Sequence, residues 1–161
     1  MKLNIKTIAA VAFLVAFLSL LAAPVPAEEK PADTMELLVQ KLKADKKLLI
    51  AETMQFSEPE AGKFWPVYDS YQAELDKLVQ RLLVIILDYA DQYKMLSDQK
   101  AMGILDEYLA IESERLALRK AYLPKFRQAL PGKKVVRFYQ LENKIQAAVN
   151  YELAANIPLV K

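Results

Sequence analysis

Between Ser57 and Leu96 the apolar residues fall at alternating steps of four and three: Phe64, Tyr68, Tyr71, Leu75, Leu78, Leu82, Ile85, Tyr89 and Leu96, with polar Gln92 alone interrupting the series. That spacing brings every member onto one side of a single long α-helix and makes a seam of the coiled-coil kind. A second apolar row, Trp65, Val79, Ile86 and Tyr93, runs beside it. From Leu82 to Leu87 the residues are apolar at six consecutive positions, so the helix has no polar side there. A helix that is apolar all round must be covered on more than one side. One neighbouring helix covers one side, so this stretch implies a partner chain or a bound client as well.

The sequence on either side divides into further helices. Asp33 or Thr34 caps a first helix reaching about Met54, with Met35, Leu38, Leu42, Leu49 and Met54 as its apolar stripe. Lys41, Lys43, Lys46 and Lys47 crowd its other face, which reads as a solvated surface or, alternatively, as a patch for anionic lipid or an acidic client. Ser57 caps the long helix, Glu60 completes a capping box and Pro59 is tolerated in the first turn. Pro66 has no N–H to give the carbonyl of Gly62, so a kink is expected between them, with the helix then continuing to about Met95. Ser97 caps a third helix running to about Leu130, and Pro124 should bend it. Ile104, Leu105, Tyr108, Leu109, Ile111, Leu116, Leu118, Leu123 and Phe126 are expected to form its apolar side. The turn at Leu96-Ser97 is short, so the second and third helices must fold back on each other. Pro131-Gly132 breaks the chain, and Val135, Phe138, Leu141, Ile145 and Val149 line a fourth helix from about Lys133 to Ala155. Asn156 to Val160 forms an extended apolar tail. No strand pattern occurs. The expected class is all-α: a long antiparallel helical hairpin with flanking helices, about four in all, in one domain over residues 28–161.

The first 27 residues read as a secretory signal, with Lys2 and Lys6 as the positive start, an apolar run from Ala9 to Ala23, and Val25-Pro26-Ala27 before cleavage after Ala27. The alternative is an N-terminal membrane anchor, because no charge occurs from Thr7 to Ala27. Pro24 and Pro26 favour cleavage. The chain has no cysteine, which excludes disulfides and lipid attachment at a cysteine. Of its 22 basic and 20 acidic residues, Lys2 and Lys6 leave with the signal and no acid does, so the remainder is formally neutral. It lacks the broad positive footprint that drives nucleic-acid binding.

The residues offer little chemistry. Without His or Cys, the usual base for a serine nucleophile, the thiol nucleophile and the commonest metal ligand are all missing. Neither an enzyme nor a cofactor is expected. Ser57 and Ser97 are caps, and Ser70 and Ser113 have no evident base, although a Ser–Lys pair stays open. Gly62, Gly103 and Gly132 form no phosphate-cradling loop. Asp88 with Asp91, and Asp106 and Glu107 with Glu114, share helix faces that solvation or salt bridges explain. Met95 and Met102 suit Cu(I), but two methionines without Cys or His read more simply as core filler.

Two helix openings, Phe56-Ser57-Glu58-Pro59-Glu60-Ala61 and Leu96-Ser97-Asp98-Gln99-Lys100-Ala101, share an apolar-Ser-acid start forty residues apart. In an exported all-helical chain this resembles the Spy/CpxP group of periplasmic proteins, marked by a repeated Leu-Thr-x-x-Gln. Ser57 and Ser97 stand where that pattern has Thr, and Glu60 and Lys100 where it has Gln. The chain is also similar to uncharacterised exported bacterial proteins with Phe-Trp-Pro-x-Tyr (Phe64 to Tyr68), Arg-Phe-Tyr-Gln-Leu-Glu-Asn-Lys (Arg137 to Lys144) and Ile-Pro-Leu-Val (Ile157 to Val160). The Spy/CpxP resemblance implies a dimeric cradle that binds unfolded or stress-damaged proteins without ATP, or restrains an envelope sensor kinase. Some members bind zinc through histidine, which this chain lacks. The expected role is ATP-independent client binding in the periplasm. A regulatory partner of an envelope sensor, or a structural homo-oligomer, is the alternative. The residues expected to meet a client or partner are Trp65, Tyr68, Leu82, Ile85, Ile86, Tyr89 and Tyr93. Basic residues near the bends, including Arg115, Arg119, Lys120, Lys125, Arg127, Lys133, Lys134 and Arg137, could attract acidic clients or simply pair with neighbouring acids.

Overall fold

A computed structural model of the chain describes residues 45–160. The expected signal, the anchor alternative and the start of the first helix lie outside the described residues. Within them the chain is all-α, with four helices: α1 over residues 45–54, α2 Glu58–Gln92, α3 Asp98–Ala129 and α4 Gly132–Asn156.

Each boundary has a local cause. Behind α1, Gln55 takes the left-handed conformation, φ 47°, that usually favours glycine. At the start of α2 the Glu60 carboxylate accepts from the Ser57 N–H at 2.8 Å and from its hydroxyl at 3.1 Å, and Pro59 occupies the first turn. The Lys134 ammonium, from the first turn of α4, joins the same carboxylate. These bonds, the one from Lys134 first, hold Glu60 below the usual carboxylate value. At α3 the Ser97 hydroxyl accepts from the Lys100 N–H at 3.3 Å. α2 runs unbroken through Pro66, and α3 through Pro124. The Pro66 carbonyl is used twice over, as a helical acceptor position and by the Ser70 hydroxyl at 2.9 Å.

The described residues form two compact units. One joins residues 45–55 to Phe138–Ile157. In it Ile50, Met54 and Phe138 are fully or almost fully buried. Lys46 reaches Glu142 at 3.0 Å, both side chains largely out of solvent, so this lysine does not belong to a solvated face. Of the apolar stripe expected for α1, Met54 is buried as expected, whereas Leu49 is exposed and its neighbour Ile50, one turn before Met54, takes the buried position. The Phe138, Leu141, Ile145 and Val149 row of α4 is buried or half-buried as expected.

The other unit, Phe56–Arg137 with Pro158 onward, contains the hairpin of α2 and α3. Pairs along it show the antiparallel register. Phe64 meets Phe126 with ring centroids 5.6 Å apart, Tyr71 meets Tyr122 at 5.4 Å, and Arg81 meets Glu107. Near the turn Lys100 meets Asp88. The open end of the hairpin is aromatic: Phe56, Phe64, Trp65, Tyr68, Tyr71, Tyr122 and Phe126 pack together, Phe64 stacked on Tyr68 and the other pairs edge to face or tilted. Its middle is aliphatic, with Leu78, Leu82 and Ile111 buried and Ile85, Ile86 and Leu118 packed against them.

Candidate functional site

The apolar residues of the hairpin divide into an inner and an outer set. Phe64, Tyr68, Tyr71, Leu75, Leu78 and Leu82 are the buried face of α2. On α3 the inner set is Ile111, Tyr122 and Phe126, with Ile104 and Leu118 half-buried beside them. Leu105, Tyr108, Leu109, Leu116 and Leu123, expected on that same side, are exposed together with Met102. The correction has a geometric cause. At 100° per residue, positions 104, 111 and 118 form one line, and 102, 109, 116 and 123 form another on the opposite side of the same helix. Helix α3 is therefore apolar on two faces, and α2 covers only one of them.

The expected client residues do not form one surface. Tyr68 and Leu82 are buried within the hairpin. Trp65, the only tryptophan, is half-buried against Phe56, Phe64 and Tyr68. Ile85 and Ile86 are half-buried as the flank of the aliphatic core. Tyr89 and Tyr93 lie together further along, ring centroids 6.1 Å apart. Tyr89 donates its hydroxyl to the Pro158 carbonyl at 2.6 Å, so the C-terminal tail crosses α2 at this point. Burial, with Tyr93 adding to it, pushes the Tyr89 hydroxyl above its ordinary value and keeps it a donor.

The exposed apolar surface of α2 centres on two residues of the Leu82–Leu87 run that the expected client set left out. Val84 is 65% exposed and Leu87 46%. With half-buried Leu83, Ile86, Ala90 and Tyr93 they continue the apolar surface of α2 around from the core face to the solvent side. Thus the six-residue run from Leu82 to Leu87 is covered by α3 on one side and by nothing else in the hairpin on the other. Met95, 92% exposed at the turn, and Met102 on the outer face of α3 are surface residues, against the expectation of core filler.

Several charged groups of the hairpin are engaged with one another. Arg81 bridges Glu107 at 2.8 Å and Glu114 at 2.6 Å, which holds Glu107 below the usual carboxylate range and raises the arginine further. Arg115, expected near a basic surface, is buried; its guanidinium meets Glu112 at 3.0 Å, and its Nε has no hydrogen-bond partner. A shallow cleft of about 420 Å³ at the turn is lined by Ile85, Asp88, Ser97, Gln99, Lys100, Gly103 and Ile104. Among the described residues no three His, Cys, Asp or Glu side chains gather as metal ligands, and no helix is long and apolar enough to cross a membrane. No protein family, curated protein or solved structure matches the chain. The site is therefore read from its own geometry, the apolar surface on the solvent side of α2.

Proposed function

We propose that this is an exported, periplasmic, non-catalytic binding protein that holds apolar segments of unfolded proteins, without nucleotide, against the solvent side of α2. The observation that carries the reading is the exposure of Val84 and Leu87 within an otherwise apolar run. An uncovered patch of this kind, rimmed by polar residues, marks an interaction surface. A long helix face without a deep pocket suits many short apolar segments better than one small ligand. The client surface proposed here keeps Ile86 and Tyr93 of the expected set, takes in Val84 and Leu87, and leaves Tyr68 and Leu82 to the core.

The test uses the chain produced with its leader in a bacterial host and recovered from the periplasm. Its intact mass should show cleavage after Ala27; recovery only from membranes would instead mean an anchor. Mixed with a chemically unfolded protein and no nucleotide, it should suppress light scattering at near-stoichiometric ratios. Val84→Gln with Leu87→Gln should abolish suppression while circular dichroism stays unchanged. Ile85 and Ile86 are unsuitable for this purpose, because acidic replacements there enter the core. Absence of suppression at every ratio, or suppression unaffected by the double change, defeats the proposal.

A further inference from the structure

The outer face of α3 differs in kind from that of α2. It is a narrow stripe with regular steps: Met102, Leu105, Leu109, Leu116 and Leu123, all exposed. Asp98 precedes this stripe and Arg127 follows it on the same line, while Lys120 interrupts it in the second half. Charge along the helix is segregated. Residues 98–114 carry five acids and one base, Lys100, whereas residues 115–129 carry five bases and no acid. Glu107, Glu112, Glu114 and Arg115 are paired within the chain, which leaves Asp98 and Asp106 outward on one half and Lys120 and Arg127 outward on the other.

We infer that this stripe is the seam of a homodimer in which α3 packs antiparallel on α3 of a second copy, about a twofold axis beside Glu112 and Ser113. Regular spacing of this sort is what a helix–helix seam requires, and a twofold contact must be self-complementary. Reversal about that midpoint meets the condition at four steps on either side of the axis, where Glu112, held by Arg115 of its own chain, falls opposite the other copy's Ser113. Met102 falls opposite the other copy's Leu123, Leu109 opposite its Leu116, and Asp98 opposite its Arg127. Leu105 falls opposite Lys120, whose aliphatic stem can lie along a leucine while its ammonium stays in water. A parallel pair would instead align Asp98 with Asp98 and Arg127 with Arg127. Charge complementarity therefore selects both the occupant and its direction. The inference is independent of client binding, which uses α2.

The absence of cysteine makes the test direct. Single cysteines are introduced into the exported protein and oxidised. Ser113→Cys lies next to the axis and should crosslink two copies. Met102→Cys alone should not, since its two copies would stand about 31 Å apart along the helix. A mixture of Met102→Cys and Leu123→Cys should crosslink. In sedimentation equilibrium, Leu109→Gln with Leu116→Gln should weaken association by about a hundredfold or more. Asp98→Lys or Arg127→Asp alone should weaken it, and the two together in one chain should restore it. A protein that sediments as a monomer at every concentration overturns the inference. So does a dimer that crosslinks through Met102→Cys alone, or through Val84→Cys but not Ser113→Cys. Light scattering with unfolded protein reads client binding separately, so either proposal can fail alone.

Discussion

Ile111 and Leu109 stand two residues apart on α3, similar in size and apolarity, and they should respond in opposite ways to truncation. Ile111 is fully buried between Leu78 and Leu82, while Leu109 is 55% exposed on the far side. Ile111→Ala removes three buried carbons from the middle of the aliphatic core and leaves a space the surrounding helices cannot fill. Substitutions of this kind cost about 2–5 kcal/mol, a large share of the ~5–15 kcal/mol typical of a domain. Leu109→Ala removes only partly buried area and gains slightly in helix propensity, so its cost within one chain should stay below about 1 kcal/mol. Trp65 makes the assay specific, since the single indole sits in the aromatic end of the hairpin and its fluorescence reports that unit in a urea titration. A range of protein concentrations separates folding from association. The Ile111→Ala cost should persist at every concentration, whereas any further Leu109→Ala effect should vanish on dilution. Equal costs for the two, or a larger one for Leu109→Ala at high dilution, would refute the orientation of α3 and with it the division into inner and outer faces.

Arg115→Met should be neutral or stabilising by about 1 kcal/mol in the same titration, because it removes a buried guanidinium whose Nε has no partner. Lys46→Ala should cost about 3 kcal/mol by leaving Glu142 buried without its cation. Lys46→Met with Glu142→Leu should recover most of that loss, read by circular dichroism because the pair lies outside the unit holding Trp65. Glu60 and Glu107 are both held below their ordinary value of 4.5 in the folded chain. Their contribution should be complete above about pH 4.5 and should fall as the pH drops towards their lowered values, since the unfolded chain then binds protons the folded one does not. Glu60→Gln with Glu107→Gln should flatten the acid limb of stability against pH, and an unchanged limb would count against both contacts.

The hairpin was legible in the sequence because its cause is local. The four-and-three spacing from Phe64 to Leu82 fixes the buried face of α2, and Ser57-x-x-Glu60 and Ser97 fix where helices begin. The short turn after Gln92 leaves the chain no course but back along itself. Other features depend on contacts far apart in sequence. Nothing local marks Glu142 as the partner of Lys46, or Pro158 as the acceptor for Tyr89. Nor does anything local show that Gln55, rather than a glycine, ends α1 in the left-handed conformation. Leu49 and Ile50 are equally apolar neighbours, so the sequence does not say which of them shares the buried side with Met54.

The outer face of α3 was hidden for a different reason. When a helix carries apolar residues on two opposite sides, both lines obey the helical period, and the period cannot say which one faces inward. Positions 104, 111 and 118 and positions 102, 109, 116 and 123 are equally regular. What separates them is their polar company. The inner line is flanked by Glu107, Glu114 and Arg115, which meet Arg81 and Glu112 within the chain. The outer line is closed by Asp98 and Arg127, which lie too far apart on one helix to meet. The charged flanks of the intramolecular face find partners on the same chain, whereas Asp98 and Arg127, at the two ends of the outer line, would find theirs on a second copy. On that criterion the stripe from Met102 to Leu123 is the face proposed for a second copy. The uneven surface around Val84 and Leu87 has no such bracket, and this is why a second copy is assigned to α3 and a variable client to α2.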